Sequence, residues 1–249
     1  MEAIVLGGGL ATGPLKAAGG TLYEAGIPIN NRPMVEYILK VLEEMEEVEK
    51  VLAVIHPGII TPEGWAKVQI LPPGERMIDS LIGAVQQVRP ADYVLVVASD
   101  IPFITKEAIR DFLARCRQRP AEVYYPFVPK QVVRAKYPAT KRTYVRLKEA
   151  TVTGGNIFLV RPQILLAYRD RIEQAIALRK QPIKLCRLLG LKFLLKFFTG
   201  QLRVAEIEAR VEEILQVRGA GILSMYPEIG VDVDKPSDLL LARAILEQE

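Results

Sequence analysis

Histidine is almost missing from this 249-residue chain: there is one, His56, at a strand end before Pro57, where it reads as structural. Neither a Ser/His/Asp nor a Cys/His nucleophilic constellation can be assembled around it. Cysteine is nearly as scarce. Cys116 and Cys186 are too few for a disulfide framework or a four-ligand zinc site, and both sit beside apolar, helix-like residues. They read as reduced thiols in a cytoplasmic protein. Long hydrophobic runs are absent too: the greasiest stretch, Leu188 to Phe198, is interrupted by Lys192 and Lys196 and falls short of the ~20 residues a bilayer span needs. Met1 runs almost at once into the strand-like Ala3–Leu6, without the charged and apolar regions of a signal peptide, so none is expected. Net charge is small. The 33 basic residues against 29 acidic ones give +4, a slight imbalance rather than a basic stripe, and nucleic acid is not expected as a partner.

What is present is an ordinary globular composition, 50% apolar and 25% charged, far from the signature of disorder. Short β-branched runs alternate with helical periods. Ala3–Leu6, Val51–Ile55, Val68–Leu71, Tyr93–Ala98, Val123–Tyr125, Ile157–Val160 and Ile229–Val233 are predicted strands, several of them apolar on both faces. Met34, Ile38, Val41 and Met45 predict a helix after Pro33; Ile78, Leu81, Ile82 and Val85 a second; Ile109, Phe112, Leu113 and Cys116 a third, capped by Thr105. Strands separated by helices imply an α/β fold, a mostly parallel sheet flanked by helices. No repeat or linker divides the chain, and residues 1–249 are expected to form one domain. Two stretches break the rhythm: a basic excursion over 127–150, and a helical insertion near 183–216.

In open α/β sheets ligands collect where the strands end. After the first strand comes Gly7-Gly8-Gly9, then Leu10-Ala11-Thr12-Gly13-Pro14-Leu15-Lys16. Consecutive glycines let backbone N–H groups approach a phosphate, although a tight turn alone would also use glycine. The spacing fits neither a dinucleotide fingerprint, which would need glycine at Thr12, nor a Gly-Lys-Ser/Thr phosphate loop. Ser99-Asp100-Ile101-Pro102 follows the fourth strand, and a carboxylate there is either a Mg²⁺ ligand or a turn residue. In Val231-Asp232-Val233-Asp234, the two aspartates would share one face of a strand, and a carboxylate here would complete a divalent-ion site with Asp100. Asp238, in the next helix's first turn, better suits the helix dipole. Thr153-Gly154-Gly155-Asn156 offers close backbone approach and an amide that can donate and accept.

Taken in order, the glycine loop, Ile27-Pro28-Ile29-Asn30-Asn31-Arg32-Pro33, Ala98-Ser99-Asp100-Ile101-Pro102 and Val233-Asp234-Lys235-Pro236-Ser237-Asp238-Leu239 resemble the NTP-transferase superfamily. That group includes molybdenum-cofactor guanylyltransferases, sugar-phosphate nucleotidyltransferases and cytidylyltransferases. The resemblance implies a Rossmann-like, GT-A-type fold and a molybdenum-cofactor guanylyltransferase-like activity. In it, a nucleoside monophosphate passes from an NTP to a small phosphorylated acceptor and pyrophosphate leaves. It also implies Mg²⁺ as cofactor, with Asp100 and Asp234 as its ligands. The family's loop arginine is missing here and Glu24 stands near the position of its lysine, so Lys16 or Arg32 is expected to supply the charge.

The resulting candidate site has Asp100, Asp234 and Lys16 as catalytic residues. Leu6, Gly7, Gly8, Gly9, Gly74, Ser80 and Ser99 would hold the nucleotide, and Thr153, Gly155, Asn156 and Arg142 the acceptor. The basic residues of the excursion, Lys141, Arg142 and Arg146, can equally form a solvated face. Two other readings stay open: a degenerate nucleotide-binding sensor on the same fold, and a homodimer or peripheral membrane contact through 188–198, where lysines adjoin an apolar face; burial of that stretch in the protein's own core is the plainer account of it.

Overall fold

Strands β1 (Glu2–Gly7), β4 (Lys50–Ile55) and β6 (Val94–Ala98) are apolar at nearly every position, which only a sheet covered on both faces can accommodate. The computed structural model, which describes residues 1–90, 92–178 and 190–247, shows that arrangement. Alternate side chains sort cleanly. Ala3, Val5, Val51, Ala53, Ile55, Leu95 and Val97 point into one core with Ile38, Leu42, Ile109 and Phe112. Ile4, Leu52, Val54, Val94 and Val96 point into the other, against Ile78, Leu81 and Val85. Helices α2 (Met34–Glu43) and α4 (Lys106–Cys116) cover the first face and α3 (Met77–Val85) the second. The Thr105 hydroxyl accepts the Ala108 N–H at 3.2 Å, capping α4, a bond worth ~1 kcal/mol.

Among the described residues the main sheet has nine strands. With β5 (Val68–Leu71) at the edge, the order β5-β4-β1-β6 is parallel throughout. Beyond β6 the sheet turns mixed: β10 (Ile157–Val160) is antiparallel to both β6 and β7 (Val123–Pro129). The antiparallel β9 (Thr151–Gly154) and β8 (Val145–Arg146) follow, and β11 (Gly219–Leu223) lies parallel to β7. A separate hairpin, β2 (Pro28–Ile29) and β3 (Arg32–Pro33), turns on Asn30 (φ 49°) and Asn31 (φ 68°), residues that tolerate left-handed backbone.

Three sequence-based expectations need amendment. Ile229–Val233 is not a strand: Pro227–Gly230 forms a 3-10 turn and the chain then runs across the strand ends. The places it would need beside β6 and β10 are already taken, and it meets their ends through Asn156 N–H to the Ile229 carbonyl and Val233 N–H to that of Asp100, each 2.9 Å. The basic excursion contains a short helix, α5 (Lys130–Lys136), and the strand β8. Helices α6 (Pro162–Ala167) and α7 (Arg169–Leu178) were not foreseen: α6 is too short to show a period, and α7 opens on charged residues with only a weak apolar stripe. Lastly, the insertion's helix Leu191–Thr199 is partly covered by the protein's own body, in line with the plainer account of that stretch. Phe193 and Phe197 pack with Leu147, Val152 and Leu202 in a third, small core, while Leu195 and Phe198 face outward. The helix Val204–Leu215 completes that insertion, and the part of it before Gly190, with Cys186, lies outside the described residues.

Candidate active site

The carboxyl ends of β1 and β6 lie side by side, and the Ser99 N–H donates to the Leu6 carbonyl at 3.1 Å. The glycine loop and Asp100 are therefore neighbours by strand pairing alone. Gly7 has no room for a side chain: a Cβ would stand 2.9 Å from both Ile55 Cγ2 and Ser99 Oγ. At Gly8 a Cβ would come within 2.5 Å of Pro73 Cβ, so the loop rests against the turn after β5. In that turn the Gly74 N–H donates to Ser80 Oγ at 2.9 Å. Gly74 and Ser80 line a cavity of about 270 Å³ with Leu71, Pro73 and Asp79.

The segment crossing the strand ends delivers two more carboxylates. One oxygen each from Asp100, Asp232 and Asp234 lies within 4.8 Å of the others; Asp100 and Asp232 are half-buried and Asp234 is exposed. Hard oxygen donors so grouped suit a divalent cation such as Mg²⁺ or Mn²⁺. The helix Pro236–Leu246 opens immediately afterwards, and Asp238 Oδ2 accepts the Asp234 N–H at 3.3 Å, fixing the approach of that residue. The structure thus brings together Asp100 and Asp234, and adds Asp232, whose i,i+2 spacing to Asp234 was the available signal.

Arg142 is buried here rather than solvated, its side chain 6% exposed. Its Nη1 pairs with the Asp232 carboxylate and its Nη2 donates to the Asp232 main-chain carbonyl, so both prongs of the guanidinium are engaged. Burial pulls its pKa below the ordinary arginine value, opposed by Asp238, Asp234 and Asp100 in that order. Lys141 and Arg146, by contrast, are exposed.

On the far side, Thr153 is buried at the end of β9, and Asn156 bonds through its backbone to Ala98 and Ile229, each at 2.9 Å. Gly155 fills a gap that a Cβ would close, 2.6 Å from Ile229 Cγ2 and 2.7 Å from Pro126 Cγ. Lys16 is exposed on α1 (Gly13–Gly19), which packs against the helix Pro236–Leu246. Arg32 is exposed at the β2–β3 turn. Glu24 stands over the glycine loop: its N–H donates to the Gly9 carbonyl at 3.1 Å, and its Oε2 would lie 3.3 Å from a Cβ on Gly9. His56 stacks on Tyr23, ring centroids 3.7 Å apart and 18° from parallel. Tyr23 carried no signal in the sequence that singled it out.

A glycine loop and a strand-end carboxylate cluster thus lie side by side on an α/β sheet. The sequence model of the MobA-like NTP transferase domain matches residues 3–190, and the chain belongs to that family. Over 244 residues, 98% of this chain and 97% of the relative, it is 25% identical to 2-C-methyl-D-erythritol 4-phosphate cytidylyltransferase of Chlamydia pneumoniae. Among solved structures, a hypothetical transferase from Thermus thermophilus superposes with a TM-score of 0.81 at 37% identity, covering 96% of this chain and 98% of that one. A CMP:2-keto-3-deoxy-manno-octonic acid synthetase complexed with CTP superposes with a TM-score of 0.62 at 17% identity, covering 99% and 98%. No helix among the described residues is long and apolar enough to cross a membrane.

Proposed function

We propose that this chain transfers a nucleoside monophosphate from an NTP to a small phosphate-bearing acceptor, releasing pyrophosphate, with Mg²⁺ held by Asp100 and Asp234. The observation that carries the reading is the set of carboxylate oxygens within 4.8 Å of one another beside the Gly7–Gly9 loop. Cytidine triphosphate is the nucleotide we propose, because two of the three relatives named above are a cytidylyltransferase and a synthetase complexed with CTP; the guanylyl transfer suggested by the sequence resemblance is the less supported choice.

When bound, the cation supplies charge neutralisation at the α-phosphate and polarises it toward attack. The chain's own groups do the positioning. Backbone N–H groups of Gly8 and Gly9 approach the phosphates where no side chain intervenes, and Lys16 adds positive charge from α1. The turn carrying Gly74 and Ser80 faces the base, its shape held by the Gly74 N–H bond to Ser80 Oγ. Thr153, Gly155 and Asn156 present the acceptor, whose oxygen bonds to the α-phosphorus as the bond to pyrophosphate breaks in line. No side-chain nucleophile takes part.

The loop without an arginine favours one second reading, a protein that binds nucleotide without turning it over, since no guanidinium there steadies the charge that builds on departing pyrophosphate. A pyrophosphate-release screen separates the two. Each of the four NTPs with Mg²⁺ is offered against a panel of phosphorylated acceptors that includes 2-C-methyl-D-erythritol 4-phosphate. Release with CTP and one acceptor supports the transferase; metal-dependent nucleotide binding with no release across the panel supports the sensor.

A further inference from the structure

Four aspartates meet where the strands end. Asp100, Asp232 and Asp234 lie within 4.8 Å of one another, and Asp238 adds a buried carboxylate whose Oδ2 is 3.9 Å from Arg142 Nη2. Sunk among them is the guanidinium of Arg142, which grips Asp232 twice, by its carboxylate and by its main-chain carbonyl. Its Nε is buried and makes no hydrogen bond. A guanidinium buried with an unsatisfied donor is costly, and here the aspartates around it offset that cost, Asp232 holding it directly.

The number of carboxylates matters for a phosphate-transferring ion. Mg²⁺ usually takes one or two from the protein and leaves its other positions to water and substrate phosphates. A third would remove one such position and make the ion more firmly held by the protein than by its substrate. We infer that Arg142 is a positioning residue that keeps Asp232 out of the coordination sphere, so that Asp100 and Asp234 alone hold the ion and its remaining positions stay open to phosphate oxygens. The inference rests on the metal site of the proposed function. It replaces the expected role of Arg142 as an acceptor ligand, since gripping a phosphate bidentately requires a free fork and both Nη atoms are engaged.

Charge cancellation makes this testable without turnover. Arg142 and Asp232 together present little net charge to the ion, whereas removing the arginine alone hands it a third carboxylate. Mn²⁺ is titrated into the full-length chain without nucleotide, free ion being followed by electron paramagnetic resonance, for the parent chain, R142M, R142M/D232N and D100N. R142M is expected to bind Mn²⁺ about tenfold more tightly, equivalent to ~1.4 kcal/mol. R142M/D232N, which removes the pair as a unit, is expected within about threefold of the parent, and D100N to bind weakest. Equal or weaker binding by R142M overturns the inference, as does a tenfold loss in the double variant, which would make Asp232 a ligand in the parent. Where R142M fails to fold because Asp232 is left without its partner, the double variant decides alone. Failure of the parent chain to bind Mn²⁺ overturns the metal site itself and this inference with it, whereas parental binding with R142M unchanged overturns the inference only.

Discussion

Asp100→Asn is expected to make the metal-free protein more stable while abolishing its chemistry. The carboxylate oxygens of Asp100, Asp232 and Asp234 lie within 4.8 Å of one another, where each like-charge pair repels by ~3.5 kcal/mol at an effective dielectric constant of ~20. Arg142 offsets the pair involving Asp232, leaving chiefly the repulsion between Asp100 and Asp234. Asp234 is exposed, and water lowers that term toward the ~1 kcal/mol that two charges feel in bulk solvent. A gain of ~1 kcal/mol raises the melting temperature of a chain this size by ~2–4 °C. The assay is calorimetry at low ionic strength with and without Mg²⁺, beside pyrophosphate release. The parent is expected to melt higher with Mg²⁺, the variant to melt higher than the parent without it, to ignore added Mg²⁺ and to release no pyrophosphate. A metal-free variant that melts lower than the parent, or one that still responds to Mg²⁺, refutes the reasoning.

Other outcomes follow from contacts already described. Gly8→Val places branched carbon where a Cβ already comes within 2.5 Å of Pro73, so steady-state kinetics are expected to show a raised KM for NTP, with ~1–3 kcal/mol lost in urea denaturation. Gly155→Ala presses on Ile229 at 2.6 Å and, through the chain that follows it, shifts Asp232 and Asp234; Mg²⁺-dependent stabilisation is expected to fall along with the stability itself. Burial pushes the Cys116 thiol up to about 12, so in a Cys186→Ser background an aromatic disulfide reagent at pH 8 is expected to label nothing until denaturant is added. The sign follows from the proton: the folded state holds it more tightly, so this contribution to stability is complete below about pH 9 and fades as pH rises toward 12.

The parallel half of the sheet was legible because burial on two faces writes itself into the sequence. Ala3, Val5 and Ile4 are all apolar yet serve opposite cores, and only a strand covered on both sides tolerates that. Asp100 was legible for the same reason, as a charge where a greasy strand stops. The segment Ile229–Val233 was misleading: β-branched residues favour extended backbone, but whether such backbone joins a ladder depends on which edges are vacant, a property of the assembled sheet. Arg142 was illegible in its actual setting. Its partner Asp232 lies 90 residues away, and in the sequence a basic residue in a basic loop looks like every other.

The crossing of the strand ends by residues 229–234 has a mechanical consequence. One end of that short stretch is tied by Ile229 to Asn156 and the other by Val233 to Asp100, so it clasps the adjoining ends of β10 and β6. A residue inserted into or removed from the stretch between those two anchors would therefore change the spacing of the carboxylates at Asp100, Asp232 and Asp234.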